Sequence, residues 1–149
     1  MKTIVANKHQ QGVLLLEAMI AILLFSVGVL AVVGLQATAI KNVAQSKYRS
    51  DASFLADQIL GQMWADRTNI ASYAYNGGSP PARVAAWVQQ VKNTLPNAQT
   101  NPPKITIATT NYAGPPAYNA HQITVTVSWR AADEHSAHQH TTTALITCC

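Results

Sequence analysis

His135, His138 and His140 form an H-x2-H-x-H tract flanked by Asp133 and Glu134. Neutral imidazoles are good ligands for zinc and copper, which makes the three histidines candidate metal ligands. The tract falls between two runs that read as strands, and a polar hairpin tip accounts for it without a metal. No residue pattern that would orient the imidazoles is readable around them, so no metal or other cofactor is expected. The five histidines also allow a mild pH response near the ordinary imidazole value of about 6.5. Cys148 and Cys149 are adjacent. Adjacent cysteines can form a vicinal bridge, pair between chains or stay free, and all three outcomes remain open.

Catalytic constellations are sparse. Apart from Glu17 the carboxylates are Asp51, Asp57, Asp66, Asp133 and Glu134. There is no G-x-S-x-G, no P-loop and no H-E-x-x-H. Asp51, Asp57 and Asp66 lie on a helical stretch, where a solvated face is the expectation. The chain is therefore not expected to be an enzyme.

The chain has 149 residues, 48% hydrophobic and 11% charged, with a formal net charge of +4. The length fits one modest domain. The charges are spread out. Lys2 and Lys8 precede Gly12, Glu17 is the sole charge in Val13–Ile40, and the rest is nearly balanced. Such a distribution makes no basic face and argues against a polyanion binder. Lys41, Lys47 and Arg49 do form a small basic group, which headgroup contact or helix solubility explains better than DNA binding. The apolar content excludes disorder, and the polar second half excludes a multi-pass membrane protein.

Glu17 is the residue that most needs an explanation. It follows Val13-Leu14-Leu15-Leu16 and precedes the apolar run Ala18–Leu35, within an uncharged stretch that reaches Ile40. As a helix rising about 1.5 Å per residue, that stretch spans roughly 27–34 Å, enough to cross a bilayer. Lys2 and Lys8 ahead of it place the N-terminus in the cytoplasm. Three readings compete. A cleaved secretory signal has a small-residue site at Ala37-Thr38-Ala39, but the apolar run is longer than the usual signal core. A plain signal anchor fits the length. Neither uses Glu17, whose carboxylate costs about 2–3 kcal/mol at mid-bilayer and less near an edge; it calls for a partner, or for a place at the interface where it reaches water or headgroups.

The third reading uses it. Gln10-Gln11-Gly12-Val13-Leu14-Leu15-Leu16-Glu17, followed by an apolar helix, resembles the leader and processing site of type IV prepilins. The resemblance implies a short leader, residues 1–12, cut between Gly12 and Val13, with N-methylation of Val13. Gly12 suits a protease site because it lets the backbone approach closely. Glu17 then lies one turn into the helix, where the macrodipole favours a carboxylate. The resemblance also implies that Glu17 neutralises the free amine of a neighbouring subunit during assembly. Val13, Leu14 and Leu15 depart from the family's usual Phe and hydroxylated residues at those places.

The elements that must carry these residues follow from periodicity. Ile40, Val43, Tyr48, Ala52, Leu55, Ile59 and Met63 recur on one helical stripe, and no proline interrupts Val13–Thr68. One long helix is expected from Val13 to Asp66, roughly 80 Å, with a membrane half over 13–40 and an amphipathic half over 41–67. Ser26, Gly28 and Gly34 are small enough for close helix–helix approach, and ordinary membrane-helix composition accounts for them equally well. Asn76–Pro81 reads as a loop. A short helix is expected over about 82–95, with Ser79 as its start signal and Val84, Trp87, Val88, Val91 and Leu95 on one face. Strands are expected over about 104–110, 121–130 and 140–148. The clearest puts Ile123, Val125, Val127 and Trp129 on one face.

The fold expected is α+β and pilin-like: a long N-terminal helix packed on a small antiparallel sheet, with one short extra helix and a periplasmic head over 68–149. The run Ala52–Arg67, with Trp87 and the Ile123–Trp129 strand, resembles PilV-type minor pilins, from which Gln62 and Asp66 depart. That resemblance implies a subunit that primes pilus assembly and sits near the fibre tip, with effects on adhesion and twitching motility. Its implied partners are the prepilin peptidase, the inner-membrane assembly machinery and other major and minor pilins. The implied location is the inner membrane, single-pass, and then the pilus. A pseudopilin of a type II secretion system shares the same N-terminus, and a membrane-anchored DNA-uptake pilin is the alternative of another class.

Overall fold

The computed structural model describes residues 10–115, 117–132 and 134–148. Lys2, Lys8, Asp133, Cys149 and the Cys148 side chain lie outside the described residues, so the leader charges and the cysteine pairing do too. The chain divides into two compact units, Met1–Ala44 and Gln45–Cys149.

Helix α1 runs Gln10–Ala65 and contributes to both units. In the first unit its described apolar side chains are exposed, from Val13 at 65% to Val43 at 69%. This part of α1 is long and apolar enough to cross a membrane. A helix apolar all round and exposed along its length suits lipid or other helices around it.

The second unit starts at Gln45, inside α1 and well before Thr68. Ala52, Leu55, Ala56, Ile59, Leu60 and Met63 of α1 are buried there, and Tyr48 packs at the edge. The expected stripe therefore starts later than its sequence pattern: Ile40 and Val43 are exposed. A 3-10 segment, Arg67–Tyr73, follows and buries Ile70 and Tyr73. Helix α2 spans Ala82–Thr94 and buries Val84, Trp87, Val88 and Val91. Pro81 rather than Ser79 occupies its N-cap, and no side chain caps it. Proline suits a helix start because its missing N–H has no intrahelical partner there anyway.

Strands β1 (Lys104–Tyr112), β2 (Tyr118–Trp129) and β3 (His138–Cys148) form, among the described residues, an antiparallel sheet in the order β1-β2-β3. The fold is α+β. Each hairpin reaches further than its alternating run suggests. The β1–β2 ladder continues to Tyr112 opposite Tyr118, whose rings stack at 4.8 Å and 15°. The β2–β3 ladder begins with Trp129 opposite His138, whose rings stack at 5.8 Å. Aromatic pairs at both ends extend the pairing by two or three residues. On β2, Ile123, Val125, Val127 and Trp129 are all buried, as alternation predicts. Tyr75 bridges Ile105 on the outer side of β1, and the turn beyond it needs positive φ at Gly77 and Gly78.

Candidate functional site

Glu17 lies on α1 with Val13, Ile20, Ala21 and Leu24 on the same strip of helix surface. These are the positions at −4, +3, +4 and +7, as a 3.6-residue period requires. Glu17 is exposed. Gly12 and Val13 are also helical and exposed. The Ser26 hydroxyl donates to the Ile22 carbonyl at 2.7 Å, so it is satisfied within its own helix. A Cβ added at Gly28 or Gly34 would meet nothing within 4 Å. Nothing in the described chain needs these glycines to be small.

The histidine tract opens out on the β2–β3 hairpin. His135 is exposed in the loop, His138 starts β3 and His140 pairs with Val127. The His138 imidazole Nε2 lies 2.9 Å from Glu134 Oε2 and its ring stacks on Trp129. His140 lies beside Arg49, Phe54 and Asp57 of α1. Among the described residues no group of three histidine, cysteine or carboxylate side chains is placed to hold a metal ion. The structure thus does not assemble His135, His138 and His140 into one ligand set. Two strand residues and one loop residue face different neighbours.

Glu134 is the centre of that hairpin. Gln45 donates its amide N–H to Glu134 Oε1, while His138 holds Oε2. This ties the start of the second unit's helix to the hairpin, 89 residues away in sequence. Arg49, Ser46, Trp129 and Gln139 complete a cleft of about 390 Å³ around the pair.

A second polar cluster is one that sequence reasoning missed. Asp66 follows the last residue of α1 and is not a solvated helix-face carboxylate. It accepts Asn69 Nδ2 at 2.6 Å, the Tyr73 hydroxyl at 3.1 Å and the Arg83 guanidinium. These contacts, the Asn69 hydrogen bond foremost, hold its carboxyl below the ordinary range. Burial, then the hydrogen bond to Asp66, raises Tyr73 above its ordinary value. The spacing Asp66-x2-Asn69-x3-Tyr73 was readable as a possible turn cap, but Arg83 sits 17 residues on and no local pattern marks it.

No family model matches the chain, and neither a curated protein nor a solved structure matches it.

Proposed function

We propose that this chain is a minor pilin of a type IV pilus, of the kind resembling PilV. It enters the inner membrane as a single-pass protein with its N-terminus cytoplasmic. The prepilin peptidase cuts after Gly12, and Val13 becomes the methylated N-terminus. The chain then leaves the membrane with other pilins and packs by its N-terminal helix near the fibre tip. Its work is assembly, not turnover.

One observation carries this reading: Glu17 is the sole carboxylate between Val13 and Ile40, on a stretch of helix whose apolar side chains are exposed among the described residues. Lipid tails can cover the apolar surface, but they give a carboxylate held among them no partner. A bundle of similar helices covers the same surface and can bring the amine of another Val13 to Glu17. Glu17 then sets the register between subunits, and Ser26, Gly28 and Gly34 allow close approach.

The test is N-terminal sequencing with mass analysis of the membrane form. The expected start is N-methylated Val13. A start at Ile40, or an intact Met1, overturns the proposal. A pseudopilin would share the same start, and loss of protein secretion rather than of surface pili on deletion would identify it.

A further inference from the structure

The cleft beside the β2–β3 hairpin has the volume of a small-molecule site, about 390 Å³ against the usual range of about 300–1,000 Å³. Its hydrogen-bonding groups do not balance. Glu134 is the carboxylate in its wall, and each of its oxygens already has a partner, Gln45 on one and His138 on the other. Two strong donors in the wall are left without a partner among the described residues. Arg49 has no ion-pair or hydrogen-bond partner among the described residues, and a guanidinium offers five N–H groups. Trp129 is only 2% exposed, and its indole N–H has no acceptor. Buried N–H groups are nearly always paired, so an orphan in a cleft wall points to an acceptor that binds there.

We propose that this cleft binds a small monocarboxylate. Arg49 is its ion-pair partner, and the Trp129 indole N–H is the donor on the inner wall. The guanidinium fork matches a carboxylate. Glu134 sets the charge limit: a second negative charge in the ligand would lie against a wall that already holds one, which disfavours dicarboxylates and phosphate. The His138 ring stacks on the indole. The indole N–H is itself out of contact with solvent, so a side chain of the wall must shift as the ligand enters. This proposal uses no part of α1 before Gln45 and stands apart from the assembly reading.

The experiment uses the full chain, isotope-labelled on its indole nitrogens, in detergent micelles. The indole N–H signals of Trp64, Trp87 and Trp129 are separated, and Trp129→Phe assigns the last. Sodium acetate and sodium benzoate are the probes, with sodium chloride and inorganic phosphate at equal ionic strength as controls. The Trp129 signal alone should move and saturate with an acetate or benzoate probe, and not with the controls. Arg49→Gln, at an exposed position, should weaken that binding at least about tenfold and leave the Trp64 and Trp87 signals where they are, which shows that the fold is kept. A Trp129 signal that fails to saturate, moves equally in chloride, or responds identically in Arg49→Gln overturns the proposal. Saturation by phosphate in preference to both carboxylates overturns it as well. So does saturation by an acidic peptide when neither small acid binds, which would assign the cleft to a protein partner.

Discussion

Trp87 donates its indole N–H to the backbone carbonyl of Leu55 at 2.8 Å. The donor is on α2, the acceptor in the C-terminal part of α1, and both residues are buried. A carbonyl oxygen has two lone pairs, so Leu55 can serve its own helix and the indole together. The bond fixes how α2 is turned about its axis and keeps Val84, Val88 and Val91 against the core. Trp87→Phe keeps a ring but loses the donor. It should cost about 1–3 kcal/mol, against about 3–5 kcal/mol for Trp87→Ala. Denaturant unfolding in detergent measures both. A Phe variant as damaged as the Ala variant would show that the hydrogen bond, not the buried area, dominates at this position.

The Asp66 cluster predicts a pH dependence with a definite sign at each end. A carboxyl held below its ordinary value in the fold contributes stability above the unfolded value, about 3.9, and loses it as pH falls through the folded one. Tyr73 is shifted upward, so its contribution is complete below about pH 10 and is lost as pH rises through the folded value. The unfolding midpoint should drop at both extremes. Asp66→Asn should flatten the acid limb, because no proton is then taken up at this position. An acid limb of unchanged slope in Asp66→Asn would mean that another carboxylate controls it.

Much of the head is legible because a single face decides it. On β2 the alternation Ile123, Val125, Val127, Trp129 becomes four buried side chains, and the α2 stripe ending at Leu95 is buried throughout. Where burial is shared among partners, the pattern misleads. Ile40 and Val43 continue the apolar period of α1, yet both are exposed. On β3 the run Thr141-Thr142-Thr143 has almost no polar contrast, and its pairing is visible only through β2, with Thr142 opposite Val125. The 3-10 segment Arg67–Tyr73 carries no helical period and was not expected. Contacts such as Gln45 to Glu134 and Asp66 to Arg83 join distant segments, and no local spacing announces them. Of the proposed assembly residues, Gly12 and Glu17 are legible only as a motif.

Two positions on the same stretch of α1 test which face is core. Ile59 is fully buried, whereas Phe54 is 66% exposed. Ile59→Ala should cost about 2–5 kcal/mol through lost burial and the cavity left behind. Phe54→Ser removes a larger apolar side chain yet should change stability by no more than about 0.5 kcal/mol. Thermal unfolding of the two variants side by side decides the point. A Phe54→Ser variant as unstable as Ile59→Ala would mean that Phe54 is covered by something other than this chain.

Glu17 offers the sharpest functional test, because processing and assembly separate there. Under the proposed processing, cleavage reads the glycine and the backbone around it, so Glu17→Gln should still start at Val13. Glutamine has nearly the same shape and hydrogen-bonding reach, but it carries no charge to meet a neighbour's amine. Within the proposed low-dielectric bundle that charge pairing is strong, and its loss would leave the amine of the adjoining subunit buried without a counter-ion. Glu17→Gln should therefore accumulate in the inner membrane and fall at least about tenfold in sheared fibres, a loss of roughly 1.4 kcal/mol or more in incorporation. Immunoblots of membrane and sheared fractions, normalised to the major subunit, give that ratio. Glu17→Asp keeps the charge on a shorter side chain and should recover part of it. Incorporation of Glu17→Gln at the wild-type ratio would leave the carboxylate without the proposed role, and the apolar helix alone would then account for assembly.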